Sequence, residues 1–332
     1  KEDAEITVSI PDGATISQIA GELKSKGLVR YETLFKFYCW ASHAEKTIEP
    51  GTYTLNSRYD YHALVSNMIE ASPDRAVVEV TIPEGYECED IFRLLEADGV
   101  CSYQDLADTA ASYEFAYDFL QEIPYGSENR LEGYLFPDTY TFYQEMDVEL
   151  VCQKILENFN DKITKDMYDR MDALNVTLDQ TITLASMIQA EAGNTEQMAT
   201  ISSVFWNRLN NATEYPLLQS DPTTKYVEEV IKPHSESYNE DLYTSYDTYQ
   251  CTGLPAGPIC NPGIEAIQAA LYPDNTNYYF FYSNIDTKET YFAETIQEHE
   301  ANQKKVQDQQ AAAEESAAAE ENSEEDSDGT EE

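Results

Sequence analysis

Cations are scarce in this 332-residue chain: 20 Lys and Arg stand against 63 Asp and Glu, a formal net charge of −43. The 11 acidic residues after Val306 leave −32 on residues 1–306, so the body is itself acidic. Nucleic acid and anionic membrane surfaces need Lys/Arg patches, and the overall charge argues against both as charge-driven partners. A neutral or cationic ligand remains, as does plain solubility. Histidine is nearly absent too: His43, His62, His234 and His299 form no HExxH, which excludes a metal site built on that motif. No CxxC joins Cys39, Cys88, Cys101, Cys152, Cys251 and Cys260, so neither a zinc knuckle nor a thioredoxin-type pair is expected. Cys88/Cys101 and Cys251/Cys260 are close enough to bridge, but scattered free thiols are the preferred reading. No cofactor or metal is expected. No apolar run reaches the roughly 18 residues of a membrane span.

Apolar residues make up 42% of the chain, enough for real cores, and about 150 residues per domain points to two or three domains. The first half is duplicated. "VSIPDGATISQIAGELKSKGLVRYETL" at 8–34 aligns without a gap to "VTIPEGYECEDIFRLLEADGVCSYQDL" at 80–106, an offset of 72. "PGTYTLNSRYDYHALVSNMIE" at 50–70 aligns to "PDTYTFYQEMDVELVCQKILE" at 137–157, an offset of 87, so the second copy carries about 15 extra residues, including "ENRLEGYLF". Each copy reads as a strand ending at a Pro-Asp/Glu-Gly turn, a helix closed by Gly27 or Gly99, a second short helix, a Thr/Tyr strand and a third helix. Such units bind extended polymers or act as spacers.

Helical patterns dominate from Thr181: "TITLASMIQAEAG", "TEQMATISSVFWNRLNN", a helix starting near Pro222, and "IEAIQAALYP" opened by Pro262 and Gly263. Residues 233–263 read as a Tyr-, Pro- and Gly-rich loop. "NYYFFYSN" and "TYFAET" alternate like two paired strands. From 307 on, Ala, Glu and Ser without large apolar side chains predict disorder. The expected fold is α+β: duplicated small modules at 1–75 and 76–160, a mainly helical domain at 161–306 with a small β element, and an acidic tail at 307–332.

One residue is out of place. Leu184, Met187, Ile188 and Glu191 follow the i, i+3, i+4, i+7 spacing of a core-facing helix side, which puts a carboxylate on an apolar stripe. It could reach solvent at the helix end, pair with a cation such as Arg208, or hydrogen-bond backbone. Against simple exposure, Gly193 marks a helix C-terminus, where the macrodipole disfavours an anion. Apolar surroundings and that dipole both favour the neutral acid, which glycosidic cleavage needs to protonate a leaving oxygen. Of possible second carboxylates, Asp221 in "QSDPT" has a special setting, but Asp-Pro-Thr also reads as a helix N-cap. One acid without a clear partner fits a rarer chemistry, a single Glu acting first as acid and then as base toward a hydroxyl of the substrate.

The combination "LASMIQAEAGN…ISSVFWNRL…LLQSDPTTKY…SYDTYQCTGLPAGPICNPGIEAIQAALYP…YFAETIQEH" resembles the YceG-like (MltG) endolytic murein transglycosylase family from about Val8 to Val306. The family's helix usually ends with two glutamates; here the first position is Gln189 and the second Glu191. The resemblance implies LysM-like modules, a lysozyme-like catalytic domain, and cutting of nascent peptidoglycan between MurNAc and GlcNAc to leave anhydro-MurNAc ends. It implies Glu191 as the catalytic group, with Gln219, Ser220 and Asp221 lining the cleft and Tyr226, Tyr246 and Asn261 as sugar-binding or loop-ordering residues. Asn207, beside Arg208 in "WNRL", is either a substrate contact or part of a clamp between helices. Glu132 and Tyr134 of "RLEGYLFPDTY" are expected in the cleft wall. Departures fall at Asp247, where the family has Asn, and at Glu300. The resemblance further implies an extracytoplasmic position at the bacterial membrane through an N-terminal anchor absent from this chain, glycan polymerases (penicillin-binding proteins) as partners, and chain termination as the outcome. The competing class is a non-catalytic peptidoglycan-binding scaffold; a hydrolytic glycosidase would differ only in leaving reducing ends.

Overall fold

A computed structural model describes all residues except 1–3, 43, 45–47, 49, 71–75, 122, 236, 285–286 and 328–332, so His43 lies outside the described residues. The fold is α+β, and the chain divides into two compact units, Lys1–Ile163 and Thr164–Glu332.

The first unit contains both repeats. Strand β1 (Glu5–Ile10) turns through Gly13 into α1 (Ile16–Ser25), whose N-cap Thr15 and Gln18 form a reciprocal capping box. Helix α1 ends at Gly27, left-handed at φ 80°. Helix α2 (Glu32–Ala41), strand β2 (Gly51–Asn56) and helix α3 (Tyr61–Glu70) follow, with β2 antiparallel to β1 and Val8 opposite Tyr53. The second copy repeats this order as β3 (Val77–Thr81), α4 (Cys88–Ala97), α5 (Tyr103–Ser112), β4 (Thr139–Tyr143) and α6 (Val148–Lys162), with Val80 opposite Tyr140. Period-2 patterning buries one face of each strand pair: Val8, Ile10, Tyr53 and Leu55 in the first, Val80, Tyr140 and Phe142 in the second. Between α5 and β4, the extra residues of the second copy are organised by buried Arg130, which donates to the carbonyls of Tyr113, Leu120 and Ile123 at 3.3–3.4 Å. Polar pairs join the two copies, among them the Tyr113 hydroxyl donating to Asp60. His62 of α3 lies 2.5 Å from Glu149 of α6, and that hydrogen bond raises its pKa.

The second unit opens with α7 (Lys165–Leu174) and the central α8 (Leu178–Glu191), begun by a Thr177/Gln180 capping box. A single 3-10 turn leads into α9 (Met198–Asn210). Then come α10 (Asp221–Tyr226), which widens into a π turn at Val227–Ile231, α11 (Glu240–Tyr246) and α12 (Ile264–Leu271). Strands β5 (Phe280–Ser283) and β6 (Thr290–Ala293) pair antiparallel, and α13 (Ile296–Ser327) closes the unit. Helix α8 is buried along its length from Thr181 to Ile188, packed chiefly against α12 and α9.

Three sequence expectations change. The loop assigned to 233–263 contains α11, started by the Asn239 side chain accepting from the Leu242 amide. The tail expected to be disordered from 307 continues the last helix to Ser327; its Ala, Glu and Gln are strong helix formers, and Val306 is the last buried apolar side chain on it among the described residues. Asp221 is not an N-cap: Ser220 holds that position and Asp221 is the first helical residue. None of the six cysteines forms a disulfide. Among the described residues, no helix is long and apolar enough to cross a membrane.

Candidate active site

Leu184, Met187 and Ile188 are buried, and the same stripe carries Glu191 to the last position of α8. Glu191 itself keeps part of its surface exposed, so the acid sits at the edge of the core and not inside it. Its carboxyl pKa is raised to about 7, chiefly because burial disfavours the charged form; Asp221 pushes the same way, while Ser220 and Lys225 act against it. A carboxyl poised there exists in both protonation states near neutrality, so it can give a proton and take one back.

Ser220 aims at this acid. Its Oγ donates to Glu191 Oε1 at 2.6 Å, which explains why the N-cap serine of α10 makes no cap bond with its own helix. The serine is held by buried threonines: its amide donates to Thr248 Oγ1 at 2.9 Å, and Thr223 Oγ1 donates to its carbonyl at 2.7 Å. The two threonine hydroxyls are 2.9 Å apart. Gln219, just before, adopts the left-handed region at φ 56°, a strained conformation for a residue with a side chain. Its amide bonds to the Thr248 carbonyl and its Oε1 accepts from Arg208, which holds the turn.

Arg208 is a clamp. Buried on α9, it donates to the carbonyls of Tyr279, Leu217 and Leu218 at 2.7–3.2 Å as well as to Gln219. Its neighbour Asn207 donates to the carbonyls of Thr276 and Tyr278. Together the two side chains tie α9 to the segments 217–219 and 276–279, and the Glu191 carboxyl accepts from Ser220. Asp221 accepts from the Tyr249 hydroxyl at 2.6 Å. The Tyr226 and Tyr246 rings lie 5.6 Å apart, and Tyr246 Oη would be 2.8 Å from a Cβ at residue 257, so a side chain there would displace the tyrosine hydroxyl. Asp247, the departure from the family's Asn, accepts from Thr224, the Tyr249 amide and Gln250. Asn261 is fully buried.

Gln189 explains its own substitution: its Oε1 accepts from the Gly263 amide at 3.0 Å, a job a neutral amide oxygen performs without burying charge. Glu132 belongs to the first unit. It is buried, and both carboxylate oxygens accept from the Cys88 amide at the start of α4, where a negative group suits the helix dipole. Sequence reasoning missed Thr248, Thr223 and Tyr249. Single hydroxyls in a loop carry no spacing signal; only the "YDTY" run marked the place.

Comparison with known proteins covers most of the chain. The model of the YceG-like family matches residues 8–305. Endolytic murein transglycosylases of Bacillus subtilis and Streptococcus pneumoniae are 28% and 26% identical, each over 90% of this chain. The chain spans 84% of the Bacillus protein and 57% of the Streptococcus one. The crystal structure of a yceG-like protein from Listeria monocytogenes superposes with a TM-score of 0.57 at 31% identity, over 90% of this chain and 98% of the other. With the core stripe, the QSDPT turn and the NRL clamp all in place, the chain belongs to the YceG-like family.

Proposed function

We propose that this protein is an endolytic peptidoglycan lytic transglycosylase in which Glu191 is the single catalytic acid and base. The observation that carries the reading is the partly exposed Glu191 carboxyl at the end of the apolar stripe of α8, bonded by the Ser220 hydroxyl, where burial raises its pKa to about 7. Relatives named endolytic murein transglycosylases, of which the chain spans 57–84%, supply the substrate class. Glu191 in its protonated form gives its proton to the glycosidic oxygen as the MurNAc C1–O bond breaks. The resulting carboxylate takes the proton of the MurNAc C6 hydroxyl as that oxygen closes on C1. The anhydro ring forms, no water is consumed, and Glu191 is protonated again. Ser220 orients the carboxyl throughout, while Gln219, Asp221, Tyr226, Tyr246 and Asn261 shape the cleft. Asn207 acts through the clamp.

Asp221 is committed to Tyr249, which argues against its service as a hydrolytic base. The duplicated modules are read as LysM-like glycan-handling units, with Glu132 a positioning residue inside the second. The reading places the protein at the outer face of the bacterial membrane, where cutting nascent strands ends their elongation beside the polymerases that make them. Digesting uncrosslinked glycan strands with wild type, Glu191→Gln and Asp221→Asn tests it. Cleavage lost in the first variant and retained in the second is expected; cleavage by Glu191→Gln would overturn it.

A further inference from the structure

Helix α2 turns an apolar face outward. Leu34, Phe37 and Trp40 are 55%, 63% and 63% exposed, and Tyr31 just before the helix is 53% exposed, while the opposite side carries buried Phe35 and Cys39 into the core. The Phe37 and Trp40 rings lie 5.7 Å apart. Four cations fall in the sequence just before and within α2: Lys24, Lys26, Arg30 and Lys36. Lys24 pairs with Glu32 at 3.1 Å at the start of α2, and the Arg30 guanidinium stands 5.3 Å over the Tyr31 ring. Residues 24–40 thus carry a net +3 in a chain of −43.

The duplication supplies an internal control. At the offset of 72, Phe37 corresponds to Thr109 and Trp40 to Ser112, and Leu34 to Leu106, which is buried. Lys24, Lys26, Arg30 and Lys36 correspond to Glu96, Asp98, Ser102 and Asp108, and residues 96–112 carry −4. The same supersecondary unit is therefore built without an outward apolar face and with the opposite charge, so the fold demands neither feature of the first copy.

We infer that the outward face of α2 docks on an anionic lipid surface, its aromatic and leucine side chains entering the headgroup boundary and its four cations meeting lipid phosphates. Aromatics beside Lys and Arg are the composition that this interface selects. The charge inversion between copies favours a phosphate-rich partner over a neutral glycan, which aromatic stacking alone would serve. It also sets a local exception to the chain's acidic body, whose average charge would repel such a surface.

The test is co-sedimentation of the 332-residue chain with vesicles of phosphatidylglycerol and phosphatidylcholine, compared with phosphatidylcholine alone. Phe37→Ser/Trp40→Ser and Lys26→Glu/Arg30→Glu alter exposed side chains only, and thermal melting checks their folding. Expected are salt-sensitive binding to the anionic vesicles, a blue-shifted Trp40 emission, and a loss of about tenfold or more in either double variant. Equal binding by wild type and both variants, or no binding to anionic vesicles, would overturn the inference. So would a concentration-dependent dimer abolished by Phe37→Ser/Trp40→Ser, which assigns the face to a second copy. Quenching of Trp40 by soluble glycan fragments without vesicle binding would assign it to sugar and equally overturn it.

Discussion

The Ser220 hydroxyl donates to Glu191 at 2.6 Å, and the same hydroxyl is thereby withdrawn from capping the helix it precedes. A helix start has given up about 1 kcal/mol of capping to place a donor on an acid. The exchange makes sense if the proton on Glu191 is what the site exists to control.

The first consequence is a pH dependence with a definite sign. With the Glu191 carboxyl raised from 4.5 to about 7, the protonated enzyme is the competent one, so kcat/KM should fall about tenfold per pH unit above that value. Stability follows the same proton. The folded state holds it between the unfolded and folded pKa values while the unfolded state does not, so the contribution of Glu191 to stability declines as pH rises from 4.5 to about 7. Glu191→Gln, which has no proton to lose, should match wild type near pH 4.5 and exceed it by roughly 1–3 kcal/mol at pH 8. Denaturant titrations at both pH values read the difference; equal stability of the two proteins at pH 8 would contradict the shift.

Removing the donor moves the acid. The Ser220 bond favours the ionised carboxyl, so Ser220→Ala should shift the alkaline limb of the rate profile to higher pH while lowering kcat through lost orientation. A drop in kcat with the limb unmoved would show that Ser220 holds backbone only.

Arg208 is tested by its most conservative replacement. Lysine cannot reproduce four donations to Tyr279, Leu217, Leu218 and Gln219, and carbonyls left unpaired inside cost about 1–3 kcal/mol each. Arg208→Lys should destabilise the second unit by several kcal/mol and slow cleavage by loosening the Gln219 turn. Calorimetry of the variant checks it; an unchanged melting temperature would remove the clamp.

The C-terminal helix docks through its first turns. Val306 is buried and Asn302 donates to the Phe292 carbonyl at 3.1 Å, so truncation after His299 should lower the melting temperature by several degrees. Truncation after Gln310 should leave both fold and cleavage unchanged. A large drop from the second truncation would show the remaining turns are packed.

Much of this was legible in the chain. The repeat predicts two copies of strand, helix, helix, strand and helix, while the pairing of β1 with β2 and of β3 with β4 comes from the structure. Glu191 was visible because a charge on an apolar stripe breaks periodicity. Asp221 misread as a cap because Asp-Pro-Thr satisfies cap chemistry locally; only tertiary structure shows Ser220 in that place. Thr223 and Thr248 were invisible, since a hydroxyl network joining residues 25 apart has no local signature. Glu132 is assigned to a cleft wall by resemblance, and its carboxylate accepts from the Cys88 amide at the start of α4.

The most direct measurement is mass spectrometry of glycan strands cut by the wild type in heavy-oxygen water. A Glu191 that returns its proton from the MurNAc C6 hydroxyl predicts anhydro-MurNAc ends that carry no heavy oxygen, absent with Glu191→Gln. Reducing ends labelled with heavy oxygen would mean that water is the nucleophile and would contradict the single-residue mechanism.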